Sequence, residues 1–261
     1  MPSERPSRAG LAGRGPLLIS VIVVSAGLIV AMVGALSGVV NPSGVANPAA
    51  TKTVAVQSIS PAKAVTVFAT LAVKGRAPKT GYDREQFGPA WADVDRNGCD
   101  TRNDVLRRDL TGYVLKEGTH GCVVLSGTLL DPYTATTIAF VRGQTTSTLV
   151  QIDHVVALSD AWQKGAQQLS AETRRALAND SLNLLAVDGL TNQRKSDGDA
   201  ATWLPPNKAY RCPYAARQVA VKAKYGLWVT SAERDVLGRI LATCPSEPLP
   251  ATTAFVLGGG R

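Results

Sequence analysis

Histidine, aromatic residues and closely paired cysteines are scarce in this chain of 261 residues. Its 2 histidines cannot build a three-histidine zinc site, and the sequence contains no H-E-x-x-H motif. Its 4 cysteines form no C-x-x-C pair, so neither a zinc ribbon nor a thioredoxin-type redox site is expected. Aromatic residues make up 5% of the chain, which argues against an extended surface for stacking nucleic-acid bases.

The composition is that of a folded and basic protein. Hydrophobic residues make up 45% of the chain and charged residues 18%, so the chain is not disordered as a whole. The 28 Lys and Arg residues outnumber the 20 Asp and Glu residues, which gives a formal net charge of +8. A basic balance of this kind points to polyanionic partners such as nucleic acid, anionic lipid or cell wall.

An uncharged apolar run over residues 17–40 decides the expected location of the protein. A helix rises about 1.5 Å per residue, so this run can cross a hydrocarbon core of about 30 Å. The basic flank at 1–16 favours keeping that end in the cytoplasm. The run is either an uncleaved signal anchor, which its length favours, or a cleavable signal peptide. In both cases the rest of the chain, after a linker at 41–59, is expected to be extracellular or at the cell surface.

An external location also accounts for the cysteines, because disulfides persist in oxidising compartments. The four cysteines lie after the apolar run, and their even number allows more than one pairing. We predict the disulfides Cys99–Cys122 and Cys212–Cys244, because each pair flanks one local structural unit. Four buried free thiols are the alternative.

Local signals predict a mixed domain over residues 60–247, with a disordered tail at 248–261. A first helix is expected to begin at Ser60, with Pro61 at its first position, and to include the sequence A-K-A-V-T-V-F-A-T-L-A-V. Apolar and β-branched content predicts further helices near 104–110, 158–164, 170–178 and 213–225, and strands at 122–125, 136–141, 148–152 and 183–187.

Two helix starts carry explicit capping signals. Ser170 is the expected N-cap of the helix that follows it. Thr230 and Glu233 have the spacing of a capping box, in which each side chain bonds the backbone N–H of the other residue. A last helix is therefore expected to begin at Thr230, and the predicted Cys212–Cys244 bond would tie the ends of a C-terminal helical pair together.

Polar residues suited to hydrolytic chemistry occur in a fixed order within one short stretch. Asp153 and His154 follow the apparent strand S-T-L-V-Q-I, Asn183 lies in S-L-N-L-L-A-V, and Asn192 and Lys195 lie in G-L-T-N-Q-R-K-S-D-G-D. Each piece is common by itself, since an Asn at the start of a strand is usually a turn residue. The ordered set at these separations is much more specific.

This ordered set resembles the HNH endonucleases, whose catalytic unit is the ββα-metal fold. More closely, the chain is similar to secreted or membrane-anchored bacterial HNH proteins that are related to the nuclease part of restriction systems cutting modified DNA. The HNH-like core covers residues 148–199, and the wider resemblance runs from about Tyr82 to Cys244. It includes the stretches W-A-D-V-D-R-N-G-C-D-T-R-N-D-V-L, D-P-Y-T and W-L-P-P.

The resemblance implies an α+β fold. A ββα-metal core is expected together with additional N-terminal α/β elements and a C-terminal helical pair. Many HNH proteins hold a structural zinc with two C-x-x-C pairs, which this chain lacks. We therefore expect no structural zinc and a fold stabilised by disulfides.

The resemblance also implies roles for four of the polar residues. His154 is the expected general base that takes a proton from water, and Asn183 is expected to hold its ring. Asp153 and Asn192 are the expected ligands of one divalent cation, and their hard oxygen donors favour Mg²⁺ or Mn²⁺. The resemblance thus implies a metal-dependent endonuclease that is expected to hydrolyse nucleic acid, with DNA favoured, outside the cytoplasm.

Basic residues near this stretch are candidates for binding phosphate. Lys195 lies one helical turn after Asn192 and is the first candidate, with its neighbour Arg194 as the second. Further basic residues that could share one phosphate-binding face are Arg84, Arg102, Arg174 and Arg175. A solvated surface is the default interpretation for each of them.

The stretch that begins at Asp93 resembles a calcium-binding loop. Asp93, Asp95, Asn97 and Gly98 match the start of an EF-hand loop, with Asp104 at its twelfth position. No convincing helix precedes the loop, so a polar turn is the competing interpretation. Bound Ca²⁺ would fit an alternative function, a non-catalytic extracellular module that binds wall polymer or DNA. A hydrolase of another phosphodiester, such as wall teichoic acid, is a third hypothesis.

Overall fold

Helices and strands, most of them short, make up residues 62–250, the part of the chain that this computed structural model describes. The helices are α1 (Ala64–Phe68), α2 (Thr101–Asp109), α3 (Leu158–Gln163), α4 (Ala171–Ala178), α5 (Gly189–Lys195), α6 (Arg211–Tyr225) and α7 (Ser231–Ala242). The strands are β1 (Leu110–Leu115), β2 (Val124–Leu130), β3 (Thr137–Val141), β4 (Val150–His154) and β5 (Leu184–Asp188). The fold is α+β, as the sequence predicts.

The strands form two small antiparallel sheets. In the first sheet β2 lies between β1 and β3. In the second sheet β4 pairs with β5, so that His154 lies opposite Leu184. Apolar residues of α2 and of both sheets, among them Val105, Phe140 and Ile152, share one buried cluster. This cluster holds β4, which carries Asp153 and His154, against the rest of the domain.

Helix α5 follows β5 without a connecting loop, which fixes the position of its polar residues. The Asp188 carboxylate accepts a hydrogen bond from the Thr191 backbone N–H at 2.7 Å and caps the first turn. Gly189 donates its N–H to the Leu149 carbonyl at 2.9 Å. A β-carbon at position 189 would overlap the Thr148 carbonyl oxygen, so only glycine allows the chain to turn this closely from sheet to helix.

Both predicted disulfides are present. Cys99–Cys122, with the two Cα atoms 5.2 Å apart, joins the loop before α2 to the segment before β2. Cys212–Cys244, with the Cα atoms 6.4 Å apart, joins the first turn of α6 to the end of α7. The second bond ties together the ends of the C-terminal helical pair, as the sequence predicts. No described cysteine is free.

The helix starts with explicit capping signals agree with their predictions. The Ser170 hydroxyl accepts a hydrogen bond from the Thr173 backbone N–H and caps α4. Thr230 and Glu233 form the predicted capping box at the start of α7, with both reciprocal hydrogen bonds present. These signals depend on residues within one turn of each other, which is why the sequence alone shows them.

Three elements differ from their predictions. Helix α1 begins at Ala64, after an extended Lys63, and ends at Phe68, so it is shorter than expected at both ends. Its predicted first residues, Ser60 and Pro61, lie outside the described residues. Strand β1 was not predicted, since its central Gly112 is unfavourable in a strand, and its pairing with β2 is interrupted by register shifts. The first residues of the tail predicted to be disordered at 248–261 are ordered, because Pro248 pairs with Lys63 and the Leu249 N–H bonds the carbonyl of the residue before Lys63 at 2.9 Å. The remainder of that tail lies outside the described residues.

A charged cluster almost closed to solvent lies among α3, α6, α7 and the loop after α5; we call it the interior network. It consists of Asp160, Lys164, Asp199, Lys222 and Glu233, none of them more than 2% exposed. Lys164 Nζ lies 2.7 Å from each of the three carboxylates. Lys222 Nζ lies 3.0 Å from Glu233. Arg76, at the edge, contacts two of the carboxylates, so three basic groups balance three acidic groups.

The predicted N-terminal flank, apolar run and linker at 1–16, 17–40 and 41–59 lie outside the described residues. Within residues 62–250, no helix has the length and apolar character needed to cross a membrane.

Candidate active site

Three separate segments of the chain line one cleft of about 440 Å³, which we call the polar cleft. The end of β4 contributes Asp153 and His154, and α5 contributes Asn192. The third contribution comes from residues 82–102, which include two arginines and two aromatic residues lining the cleft. The structure thus brings together three of the predicted site residues and adds a wall in which Arg84 and Arg102 were candidates for binding phosphate and the aromatic residues were not predicted.

His154 is buried, with 8% of its surface exposed, and a backbone carbonyl fixes its ring. The ring nitrogen Nε2 lies 2.8 Å from the Ala178 carbonyl oxygen. A carbonyl only accepts hydrogen bonds, so Nε2 carries the proton and Nδ1 keeps a lone pair when the ring is neutral. Burial, with smaller contributions from the positive charges of Arg84 and Lys195, lowers the pKa of His154 to about 3. The ring is therefore neutral at physiological pH.

Asn183 does not hold the His154 ring, contrary to the prediction. Its side-chain Oδ1 accepts a hydrogen bond from the Val156 N–H at 2.8 Å, and its Nδ2 donates to the Val156 carbonyl at 3.2 Å and the Leu177 carbonyl at 3.4 Å. Asn183 thereby joins the segment after His154 to the residue preceding Ala178. Its effect on the ring passes through the backbone, because side-chain direction at a strand start is not determined by sequence spacing.

Asp153 is buried in contact with two partners that partly compensate its charge. Its Oδ1 lies 2.9 Å from Lys195 Nζ, and its Oδ2 accepts a hydrogen bond from the Tyr133 hydroxyl at 2.6 Å. Burial raises the pKa of Asp153, and the contacts with Lys195 and Tyr133 oppose that rise. We call Asp153, Lys195 and Tyr133 the site cluster.

Lys195 was predicted to contact phosphate, but its side chain does not face solvent. Its side chain is buried, with the residue only 2% exposed, and its Nζ also donates to the His154 carbonyl at 2.9 Å. The helical turn that puts Lys195 on the face of Asn192 directs it to β4 and its carboxylate rather than to solvent. The adjacent Arg194 is the exposed basic residue of α5.

Asn192 lines the polar cleft with its amide group oriented by a neighbour. Its Nδ2 donates to Gln151 Oε1 at 2.9 Å. The hydrogen bond occupies the amide nitrogen, so the oxygen Oδ1 is the atom suited to accept a cation. A cation site built from one carboxylate and one amide oxygen remains a prediction for Asp153 and Asn192.

The basic residues considered for phosphate binding do not share one face. Arg84 and Arg102 line the polar cleft beside His154. Arg102 donates to the Val150 carbonyl at 3.3 Å, and burial lowers the pKa of its guanidinium, with the charge of Arg142 adding to this effect. The pair Arg174 and Arg175 instead lines a separate depression together with Glu85, Gln86 and Gly88.

His154 also lines a second cavity of about 410 Å³, which we call the apolar cavity. Its apolar lining includes Phe87, Pro89, Trp91 and Leu158. The local sequence patterns predict no helix or strand in this segment and did not indicate a wall of the site. The concentration of arginine, tyrosine, phenylalanine and tryptophan in Y-D-R-E-Q-F-G-P-A-W was the signal that could have found it.

The predicted calcium loop has part of the expected backbone arrangement. The Asp93 carboxylate accepts hydrogen bonds from the Asn97 N–H at 3.1 Å and the Gly98 N–H at 2.9 Å. Asp104 is 2% exposed, and burial raises its pKa to about 6. Among residues 62–250, no three His, Cys, Asp or Glu side chains are grouped closely enough to hold a metal ion. Calcium binding by Asp93, Asp95, Asn97 and Asp104 remains a prediction.

Comparison with protein families identifies the class to which these elements belong. Residues 100–240, more than half of the chain, match the family described as GmrSD restriction endonucleases, C-terminal domain. The matched range includes β4, β5 and α5, and therefore Asp153, His154 and Asn192. The chain belongs to this family, which relates it to nucleases.

A particular relative extends the comparison beyond that range. A protein of Arthroderma benhamiae described as an uncharacterized secreted protein is 38% identical to this chain over 187 residues. The alignment covers 71% of this chain and 86% of the relative.

Proposed function

We propose that this protein is a metal-dependent endonuclease of the HNH type that hydrolyses phosphodiester bonds of nucleic acid, with DNA favoured. One observation carries the proposal: His154, Asp153 and Asn192, predicted as base and cation ligands, line the same polar cleft. The antiparallel pair β4–β5 and the helix α5 that follows it directly supply all three residues in the order expected of a ββα unit. Family membership supports the same reaction class.

His154 acts as the general base through Nδ1. The Ala178 carbonyl holds the proton on Nε2 and orients the ring, which leaves the lone pair of Nδ1 to accept a proton from water. The neutral ring is the form that accepts protons, and its depressed pKa keeps that form populated over a wide pH range. An anionic phosphate near the ring would raise its basicity, since a negative charge favours the protonated form.

Asp153 and Asn192 fit one hard divalent cation, Mg²⁺ or Mn²⁺. A carboxylate has about four lone-pair sites, so Asp153 can keep its contacts with Lys195 and Tyr133 and still ligate a cation. The Asn192 amide presents an oxygen because its nitrogen is bound to Gln151. Such a cation supplies charge neutralisation at the reacting phosphate. Lys195 acts as a positioning residue that keeps Asp153 in place.

Arginine rather than lysine contacts the phosphate in this proposal. Arg84 and Arg102 line the cleft beside His154, and a guanidinium can donate two parallel hydrogen bonds to phosphate oxygens. Burial of Arg102 strengthens such a contact because little water competes for its charge. Arg194, exposed on α5, is the remaining candidate for a more distant phosphate.

The reaction is proposed to take place outside the cytoplasm. Two disulfides within the described residues are typical of exported proteins. The relative from Arthroderma benhamiae is described as secreted. The N-terminal run at 17–40 would deliver the chain to the membrane or through it.

A nuclease assay with a matched pair of histidine variants tests the proposal. The purified full chain should degrade plasmid DNA with Mg²⁺ or Mn²⁺, and His154→Ala should lower the rate by about 10²–10⁴-fold because the general base is lost. His120, exposed in a turn remote in sequence from the site, provides the control, and His120→Ala should cleave at the rate of the wild type. Equal rates for both variants would reject the assignment of the base.

A calcium-stabilised, non-catalytic module is the second candidate function. Its support is the Asp93 carboxylate bonded to the Gly98 N–H and a buried Asp104 oxygen, Oδ1, that has no hydrogen-bond partner. A cation would satisfy that oxygen and offset the unbalanced charge. Calorimetry with Ca²⁺ tests this candidate, because the module requires calcium binding. The nuclease assay tests the other candidate, because the module requires no cleavage.

A further inference from the structure

His154 separates two cavities that differ in chemical character. The polar cleft contains the proposed cation ligands and Arg102, whereas Phe87, Pro89 and Ala178 line only the apolar cavity. Four residues line both spaces: Arg84, Trp91, His154 and Leu158. The two spaces therefore adjoin at His154. If the phosphate of a nucleotide lies beside His154 in the polar cleft, another part of the same or the next nucleotide can enter the apolar cavity.

Nucleic acid offers one kind of group suited to that space. Phosphate and sugar are polar, and a base is the flat, largely apolar part that packs on aromatic side chains. The cavity volume of about 410 Å³ falls in the range of small-molecule sites, which begins at about 300 Å³. Asn179, which also lines the cavity, supplies an amide that can hydrogen-bond the edge of a base.

Trp91 is held where a stacked base would need it. Its carbonyl accepts a hydrogen bond from the Thr101 N–H at 3.2 Å, at the first residue of α2. Its backbone φ is +60°, a conformation that a bulky residue keeps only when its surroundings impose it. The Arg102 guanidinium lies 6.0 Å from the centre of the Trp91 ring, and part of the side chain packs on the buried cluster that α2 shares with both sheets. The part that lines the two cavities is the surface open to a base.

We propose that the apolar cavity binds one unpaired nucleobase adjacent to the phosphate that is cut, with Trp91 as its stacking surface. This inference rests on the proposed function for the identity of the substrate. A base within a duplex is covered by its neighbours and its partner, so it enters only after it is unstacked or where the strand is already single. The preferred substrate is then single-stranded, mismatched or bulged nucleic acid.

The wall that selects the substrate lies largely outside the matched family range. Residues 82–91 precede the range 100–240, whereas Asp153, His154 and Asn192 fall inside it. The stacking surface of Trp91 is therefore carried by a different part of the chain from the general base and the cation ligands. A change in residues 82–91 should alter substrate preference while the base and cation ligands stay in place.

Equilibrium binding measured without cleavage tests the subsite. The full chain in EDTA is titrated with a fluorescein-labelled eight-nucleotide single-stranded DNA, and separately with a strand of equal length whose nucleotides are abasic. The wild type should bind the base-bearing strand more tightly. Trp91→Ala should raise its Kd on the order of tenfold, as loss of one stacked base predicts, and leave the Kd of the abasic strand unchanged. Trp91→Phe should retain most of the affinity.

A second variant guards against a folding defect in Trp91→Ala. Ala90 is exposed and lines the apolar cavity, so Ala90→Phe fills the space without removing buried packing. It should weaken the base-bearing strand selectively in the same way. Equal affinity of the wild type for both strands, or equal weakening of both strands by Ala90→Phe, overturns the proposal. A chain that shows this selective binding and cuts nothing would retain the subsite and lose the proposed nuclease function.

Discussion

The interior network and the site cluster are both built on buried lysines, but their charges are balanced differently. In the interior network, Lys164 bonds three carboxylates at 2.7 Å, and a second lysine and an arginine complete the balance. In the site cluster, Lys195 meets the single carboxylate of Asp153, which also lines the polar cleft. The closed network serves the fold, whereas the open cluster holds one carboxylate where a cation or substrate can reach it.

The protonation properties of the two groups agree with this contrast. Burial alone would lower the pKa of Lys164, but Asp160 and Glu233 outweigh it and hold that pKa above its ordinary value. Burial also disfavours the charged form of Asp153 and raises its pKa. Its contacts with one lysine and one hydroxyl group do not cancel that rise. A charge at the site is thus less compensated than a charge in the network, which suits a site that takes up another ion.

Breaking the interior network should have the largest effect on stability. Lys164→Met leaves three buried carboxylates with one lysine and Arg76, which should cost about 3–5 kcal/mol of unfolding free energy. That loss corresponds to a fall in Tm of roughly 2–4 °C for each kcal/mol in a domain of this size. Lys79→Met is the control, because Lys79 and Asp197 form an exposed pair, 54% and 50% accessible, that contributes little. Urea unfolding that gives equal losses for both variants would contradict the contrast.

The pH dependence of stability should show the burial of His154. Its pKa is near 6.5 in an unfolded chain and about 3 in the folded protein, so the unfolded chain binds the extra proton between these values. Folding stability should therefore fall as the pH drops from 6.5 towards 3, by up to about 1.4 kcal/mol per pH unit from this group. His154→Asn should remove that component. Urea unfolding curves measured at several pH values for both proteins provide the comparison, and parallel pH profiles would argue against a buried neutral ring.

Removing Lys195 should affect stability less than removing Lys164, and activity more. Lys195→Met orphans one carboxylate that keeps its bond to Tyr133, at a cost of about 1–3 kcal/mol. Since Asp153 loses its positioning partner, nuclease activity per folded molecule should fall, while Lys164→Met should leave it nearly unchanged. Thermal unfolding and a metal-dependent plasmid assay on both variants give the two readouts. Equal nuclease activity of Lys195→Met and Lys164→Met would contradict the functional distinction between the site cluster and the interior network.

The smallest effect is expected at the acidic loop, where a buried carboxylate has no lysine. Asp104 has its pKa raised to about 6, and its nearest basic group, on Arg107, lies 4.0 Å away. Ionisation of Asp104 should cost stability as the pH rises from about 3.8 to 6, so at pH 7 Asp104→Asn should raise the Tm by a few degrees in EDTA.

If the loop binds calcium, Ca²⁺ should make the Tm of the wild type higher than that of Asp104→Asn, the reverse of the order in EDTA. Added Ca²⁺ should raise the Tm of the wild type and leave Asp104→Asn unchanged, because the variant lacks the ligand charge. Differential scanning calorimetry with EDTA and with Ca²⁺ measures both conditions. No response of the wild type would remove calcium from the loop and with it the alternative function.

The features that the sequence predicted are local ones. The capping box of Thr230 and Glu233 and the N-cap at Ser170 each depend on residues three positions apart. Both disulfides close loops of moderate length around one unit, 23 and 32 residues apart. In each case the relevant partner lies nearby in the chain, so residue type and spacing were sufficient.

The features that the sequence missed depend on partners distant in the chain. Lys195 turns inward because Asp153, 42 residues earlier, offers a carboxylate. The His154 ring is held by the Ala178 carbonyl, a backbone group that no side-chain pattern reveals. The wall at residues 82–91 has no pattern typical of a helix or strand. Its aromatic side chains belong to the site only because the fold places them beside β4. Spacing identified the chemical groups of the site, and tertiary packing decided their orientation.

The absence of a side chain at Gly189 governs the geometry of the site. Its backbone sits against the Thr148 carbonyl, leaving no room for a methyl group at the step from β5 to α5. Any larger residue would have to push the helix away, and Asn192 would move with it relative to Asp153. The distance between the two proposed ligands is thus set by a residue that touches neither of them. Mutations confined to the residues that line the cleft would therefore miss Gly189, the position that fixes α5 relative to β4.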